Sequence, residues 1–427
     1  MNISSNKNNI RNLLAVIASL VIAIPGESLS NTLTTLELGQ EHIPHFMVGL
    51  ASSSFYAGLT IGAFIIEPFI VRVGHIRAFS TFASLMSALY LCQGFYLNEW
   101  LWLVIRFFIG YCTSGIFIVI ESWLLASSDR SNRGVILSVY MIATYLAQAV
   151  GQLFLTLKIS QSIFLFCISS LLASVSVLPL AMSKVTHPQI EKPSTLSLKK
   201  LWEASGSGML ACIIGGVMQG GLGLLTPAFM SDLGFSMEEI AYNMFFLIIG
   251  GMALQYPVGL LSDKFNRHYV LAIVTFLSAV ISLITIYAAF NNQLIFTISI
   301  FLLGGLTFSI YPIGISMACD MIEYKDIVKA TQGLLLSYGV GATVGPISTP
   351  IFNTIFGKSG LFIYFSLILF MLCAFILVRI FAVTDKNPLH KDKAIPLQPT
   401  TTPVSSEFDP RAEEPEESAK EVEEQQT

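Results

Sequence analysis

The sequence predicts an all-α membrane protein: twelve transmembrane helices in two pseudo-symmetric six-helix bundles. Three observations carry this expectation. The 427-residue chain is 54% hydrophobic and only 12% charged, about half the charged share of a soluble protein. Its apolar residues gather into segments close to the ~20 residues that cross a bilayer. Its basic residues fall almost wholly on one side of a chain threaded in that way.

The segments lie at about 12–36, 46–71, 76–97, 100–127, 132–157, 161–183, 205–230, 237–261, 268–290, 294–321, 330–356 and 360–383. Turns as short as Asn98-Glu99 and Asn291-Asn292 make their neighbours antiparallel. With the N-terminus in the cytoplasm, twenty Lys and Arg side chains lie on the cytoplasmic side, and Lys158 and Lys358 lie outside. Arg106 is left within a span. Both termini are therefore expected in the cytoplasm and the chain in the inner membrane. Lys7 and Arg11 precede the first apolar run as in a signal peptide. The run has no small-residue cleavage site, so it is read as a retained span.

The formal net charge of −4 belongs to the tail. Residues 401–427 hold nine acids and two bases, and the rest of the chain is net basic. Residues 1–184 form the expected N-terminal bundle, 185–204 a cytoplasmic linker and 205–384 the C-terminal bundle. Residues 385–427, rich in Pro, Glu, Ser and Thr, are expected to be a disordered acidic cytoplasmic tail. This composition excludes an ordinary cytosolic enzyme and a nucleic-acid binder, whose surfaces need far more charge. The six cysteines sit in apolar runs without metal-ligand spacing and read as small buried residues.

The halves repeat. Arg72-Val73-Gly74-His75-Ile76-Arg77 follows the second span, and Asp263-Lys264-Phe265-Asn266-Arg267-His268 follows the eighth. Span 5 opens Arg133-Gly134-Val135-Ile136-Leu137-Ser138, and span 11 opens Gln332-Gly333-Leu334-Leu335-Leu336-Ser337. Such repeats place a solute site near the midplane, between the halves.

The run from Pro257 to Arg267, with Gly259, Asp263, Lys264 and Arg267, resembles the loop signature of the major facilitator superfamily. Arg106 followed by Gly110 is similar to that superfamily's span-4 motif. Glu121-Ser122-Trp123, Asn132-Arg133-Gly134 and Leu336-Ser337-Tyr338 resemble the YcaD-like branch of bacterial transporters. The resemblance covers about residues 10–384 and implies the fold and a transport role, without a substrate. The first-half loop departs from the signature. Val71 stands for its Asp, Glu67 for its Gly and His75 for one base, leaving Arg72 and Gly74. Ala147-Gln148 replaces the Gly-Pro pair of antiporters, which argues against a drug-exporting antiporter.

Charges inside a span cost ~2.5–3.5 kcal/mol on insertion scales and mark function. Glu27 lies near the middle of span 1, beside Pro25 and Gly26. At 1.5 Å per residue, Arg106 sits roughly 10 Å and Glu27 about 5 Å off the midplane on the outer side, close enough for their side chains to meet. The resemblance implies that spans 1 and 4 are neighbours at the cavity. Glu27 then reads as a proton site controlled by a movable Arg106; the alternatives are a permanent structural ion pair and an Arg106 that snorkels to the outer face. The resemblance also makes Tyr145, Gln219 and Tyr311 cavity candidates, because spans 5, 7 and 10 border the cavity.

Glu121 is expected to pair with Arg72, Arg77 or Arg133 in a cytoplasmic gate. Asp320 and Glu323, with Lys264 and Arg267, form its second-half counterpart. No Gly-Lys-Ser/Thr follows the glycines of span 7, so no nucleotide loop is present and energy must come from a gradient. All six histidines lie in loops or the tail, which argues against a membrane enzyme or a metal site. The expected function is secondary active transport of a small organic solute by alternating access, coupled to protons. Arg106 favours an anionic solute. The alternatives are a non-transporting receptor of transporter fold and a proton-antiporting exporter. A monomer without cofactor, metal or nucleic-acid partner is expected.

Overall fold

The computed structural model describes residues 3–40, 43–128, 132–157, 159, 161–182, 195–382 and 402–408. The helices of the first half are α1 (Ile3–Gln40), α2 (His45–Ile65), α3 (Glu67–Val73), α4 (His75–Phe95), α5 (Glu99–Ala126), α6 (Arg133–Leu153), α7 (Ser162–Val175) and α8 (Val177–Ala181). Those of the second half are α9 (Leu198–Asp232), α10 (Met237–Lys264), α11 (Arg267–Asn291), α12 (Gln293–Thr307), α13 (Ile310–Cys319), α14 (Ile327–Phe356) and α15 (Gly360–Ala382). Strands are absent among the described residues. Bends divide three crossings in two, so α2–α3, α7–α8 and α12–α13 each count as one. Twelve crossings result, six in each half.

Local sequence explains the ends of these helices. Asn98 and Asn292, the turn residues of the two short connections, each cap the next helix. Their side chains accept from Leu101 N at 2.9 Å and Ile295 N at 3.1 Å. Ser236 and Glu239 close a reciprocal capping box at the start of α10. Gly74, at φ 86°, sits between α3 and α4 in a conformation that disfavours a side chain.

The repeat is visible in the packing. In the first half, α2 and α5 approach until a Cβ on Gly58 would strike the carbonyl of Phe107, and one on Gly110 that of Phe55. In the second half, α10 and α12 do the same: Gly250 faces the carbonyl of Phe301, and Gly304 that of Leu247. Each glycine lies three residues after the residue whose carbonyl meets its partner. Small residues at such contacts let membrane helices approach closely where no hydrophobic force drives them together.

The linker's first part, residues 185–194, lies outside the described residues. Ser205 has non-helical angles (φ −150°, ψ 85°) and splits α9. Its hydroxyl accepts from Gly208 N at 3.2 Å, capping the crossing that follows. Residues 198–204 thus form a separate helical turn ahead of the crossing. The end of the molecule that carries them is called here the linker face.

One segment departs from the expected tail. Residues 383–401 and 409–427 lie outside the described residues, but Pro403–Phe408 forms a 3-10 turn. Thr402 and the first four residues of this turn, 403–406, are buried against the bundles instead of solvated.

Candidate functional site

Near the midplane the two halves enclose a cavity of about 60 Å³. Glu27, Asn31 and Tyr56 line it from the first half, and Gln219, Met244 and Phe308 from the second. Small-molecule sites usually offer roughly 300–1,000 Å³, so this cavity is too small to hold a solute in the present arrangement of the helices. One floor lies toward the linker face. Tyr145 of α6 donates to Gln255 Oε1 of α10 at 3.1 Å and stacks on Phe308, ring centres 6.3 Å apart. A second cavity, of about 220 Å³, lies at the opposite face. There His45 Nδ1 is 3.8 Å from Asp232, and Lys358 donates to the Asp232 carbonyl at 2.5 Å.

Glu27 stands on α1 one turn before Asn31, whose amide donates to Glu27 Oε1 at 2.9 Å. Glu27 Oε2 is buried without a hydrogen-bond partner among the described residues, as are Asn31 Oδ1 and Gln219 Oε1. Behind Phe55, which also lines the cavity, lies Arg106 of α5. It is 1% exposed, and its Cζ rests 4.5 Å from the Phe55 ring centre. None of its three guanidinium nitrogens has a hydrogen-bond partner among the described residues. Glu27, Tyr56 and Tyr90 are within electrostatic reach of it. The direct contact between Glu27 and Arg106 expected from their heights is thus not made. Phe55 provides an attractive π face to the cation instead.

The repeat shows what these residues are not needed for. Arg106 precedes Gly110 by four residues, and four before the matching Gly304 stands Ile300, fully buried. Gly151 packs on Pro25, as Gly345 packs on Val217. Two residues beyond Pro25 and Val217 stand Glu27 and Gln219. The second bundle therefore builds the same backbone with an isoleucine and an amide.

The other candidates separate. Tyr145 belongs to the floor. Tyr311 is buried within the second bundle, its ring 4.5 Å from that of Tyr338, and does not line this cavity. The polar residues of α4 were missed in the sequence. Tyr90 is fully buried with an unpartnered hydroxyl near Arg106, and Gln93 donates to Thr34 at 3.3 Å. Two polar residues three apart in an apolar span were the available signal. Gln152 lines the cavity and also links α1 to α6, accepting from the Thr32 hydroxyl at 2.8 Å and donating to Ser28 Oγ at 2.7 Å.

At the linker face, Arg267 is 3% exposed. Its Nε lies 2.8 Å from Asp320 Oδ2, and its Nη1 lies 3.4 Å from both Asp263 Oδ1 and Ser262 Oγ. This is the expected Arg267–Asp320 pair, made within the second bundle. Glu323 does not join it; exposed, it pairs with Lys325 at 2.5 Å. Arg72 and Lys264 are exposed, and Gly259 has open space around it. Arg133 is half-buried at the start of α6. His75, at the loop position matching Arg267, is buried with its ring 5.5 Å from that of Trp123. Glu121 is fully buried. It accepts from Tyr140 OH at 2.9 Å and from the amide and hydroxyl of Thr402. The sequence predicts Arg72, Arg77 or Arg133 as its partner; neutral donors from Tyr140 and Thr402 hold the carboxylate instead.

Comparison with known proteins agrees with this architecture. The family model of the Major Facilitator Superfamily matches residues 15–322 and 208–412. The MFS-type transporter YcaD of Escherichia coli strain UMN026 is 30% identical over 363 residues, covering 84% of this chain and 94% of that protein. YcaD of Shigella dysenteriae serotype 1 is similar to the same extent, 30% over 363 residues. Among solved structures, the nucleoside transporter NupG shares the fold at a TM-score of 0.70 with 12% identity, covering 87% of this chain and 99% of NupG. A bacterial homologue of the human lysosomal transporter Spinster, in an inward-facing unoccupied conformation, reaches 0.70 with 13% identity, covering 87% and 96%. With the family model spanning both bundles and a relative at 30% identity over most of its length, this chain belongs to the Major Facilitator Superfamily of transporters.

Proposed function

We propose that this protein is a proton-coupled secondary transporter of a small organic anion, working by alternating access in the inner membrane with its linker face in the cytoplasm. The carrying observation is the buried, unpartnered Arg106 beside Glu27, where the other bundle holds Ile300 and Gln219. A charge the fold does not require, kept in a span at considerable cost, indicates solute and ion handling. The basic residues of the linker face, including Arg72, Arg77, Lys199, Lys200 and Lys264, support its cytoplasmic placement.

The coupling follows from electrostatics. A buried carboxylate keeps its charge while a cation is near and takes up a proton when the cation turns away. An anionic solute in the opened cavity draws the Arg106 guanidinium from Phe55 toward itself. Glu27 then binds a proton, and solute and proton cross together when the bundles rock about the midplane. Release reverses the exchange, and Arg106 returns to serve Glu27. Gln219, Tyr145 and Gln255 act as the neutral wall and floor.

A thermal-shift screen of the purified protein against small carboxylates and other metabolites identifies the solute. Glu27→Gln then tests coupling in proteoliposomes. This nearly isosteric change reproduces what Gln219 already does in the second bundle. Accumulation driven by a pH gradient is expected to vanish, while exchange at equal concentrations on both sides persists. Normal pH-driven accumulation by Glu27→Gln contradicts coupling through this residue. Solute binding without exchange by the native protein would make it a receptor.

A further inference from the structure

The tail segment sits between the bundles. It touches α5 and α6 of the first and α14 of the second, all near their linker-face ends. Thr402 N lies 3.1 Å from Glu121 Oε2, and the Thr402 hydroxyl donates to the same oxygen. From the other bundle, Gln332 Nε2 reaches the Pro403 carbonyl at 3.4 Å and Ser406 Oγ at 3.5 Å. Val404, only 7% exposed, joins the hydrophobic core. Ser405 and Ser406 turn their hydroxyls back onto the carbonyls of Thr402 and Pro403, at 2.7 and 2.6 Å, so the turn brings its own partners into the buried site.

Three features make this a built site. Glu121 is a fully buried acid whose capping comes partly from a residue 281 positions away. A buried carboxylate stripped of its donors is costly, so the acid favours the docked tail. The 19 residues from 383 to 401 can span up to about 60 Å, so the tether does not limit docking. The acidic tail is also opposite in charge to the basic residues of the linker face, which concentrates it there.

We propose that residues 402–406 are a tethered plug, which occupies the vestibule between the bundles at the linker face, caps Glu121 and bars solute from that side until it withdraws. Bonded to both bundles, the plug also ties together elements that must move apart or close up when the carrier rocks. The inference rests on the transport reading for its purpose, but its test needs no solute.

The test reads access to Gln332, which lies under the plug. The Gln332→Cys variant is prepared as the full chain and as a chain ending at residue 384, in inside-out vesicles. A membrane-impermeant maleimide is added, and labelling of the introduced thiol is followed by peptide mass spectrometry. A charge-assisted hydrogen bond changes an equilibrium by about ten- to a hundredfold, so the shortened chain is expected to label at least about tenfold faster. A synthetic peptide of residues 398–410 should restore protection. Equal labelling of the two chains overturns the plug and leaves the transport reading untouched. Hydrogen exchange of the unmodified protein gives a second reading that needs no substitution. Amides of 402–406 should exchange far more slowly than a free chain, and exchange at the free-chain rate also overturns the proposal.

Discussion

In the first bundle the α5 position four residues before the tight glycine is Arg106; in the second, the matching α12 position is Ile300. At the loops the difference is reversed. Arg267 of the second bundle is buried between Asp320 and Asp263, and the corresponding residue of the first is His75, packed on Trp123. One backbone is thus built twice, with its buried arginine inside a crossing, behind Phe55, in one copy and at the linker face in the other. The two arginines are almost equally buried but differ in their partners. Arg267 has two carboxylates and a hydroxyl, whereas Arg106 has an aromatic face. A paired arginine is explained by the fold around it. An arginine held in the interior without a carboxylate contact is not explained in that way, and the proposed function assigns it to the solute.

The largest effect should come from breaking the paired site. Asp320→Ala takes from the buried Arg267 the nearer of its two carboxylates and leaves Asp263 at 3.4 Å; losing one partner of a buried pair typically costs about 3–5 kcal/mol, so a loss near the lower end is expected. Thermal unfolding in detergent should show it, and Arg267→Met combined with Asp320→Leu should recover most of the loss. If Asp320→Ala unfolded like the native protein, the clip would be ornamental. The tight glycines come next. Gly58→Ala and Gly250→Ala both press a methyl into a neighbouring carbonyl, and overpacking costs about 1–3 kcal/mol. Similar losses are expected in the two bundles; a loss confined to one would show that the helix contacts are not equivalent. Tyr145→Phe removes the hydrogen bond to Gln255 between the halves. Such bonds average about 0.6 kcal/mol in membranes, so stability should barely change, while cysteines placed in the central cavity should label faster from the linker face. Unchanged labelling would remove Tyr145 from the floor.

Features that depend on spacing along one helix were legible in the sequence. The apolar runs set the crossings, Asn98 and Asn292 marked the turns, and the loop motif singled out Arg267. Glu27 and Asn31, one turn apart, are bonded as helical geometry allows. Features that depend on how helices face one another were not legible. Heights along the membrane normal suggested that Arg106 meets Glu27, but height does not fix rotation about the axis, and Arg106 turns onto Phe55. Tyr311 was placed at the cavity by its span, yet its side chain turns to Tyr338 within its own bundle. The partner of Glu121 was the least accessible, because composition alone makes residues 385–427 a solvated tail. Only packing shows that a Thr-Pro-Val-Ser-Ser segment within it brings enough internal hydrogen bonds and one valine to be buried.

Arg106→Met tests the contrast between the two arginines most directly. It keeps the bulk of the side chain on Phe55 and gives the first bundle a neutral, apolar residue, as Ile300 gives the second. Thermal unfolding and solute-driven proton uptake should be measured on the same preparation. The account predicts stability within about 1 kcal/mol of the native protein, or above it, since apolar replacements of buried charges are often neutral or stabilising. It also predicts that solute binding and proton uptake are lost. A large loss of stability, comparable with that of Asp320→Ala, together with normal solute-coupled proton uptake in the folded fraction, would contradict it and make Arg106 a structural residue.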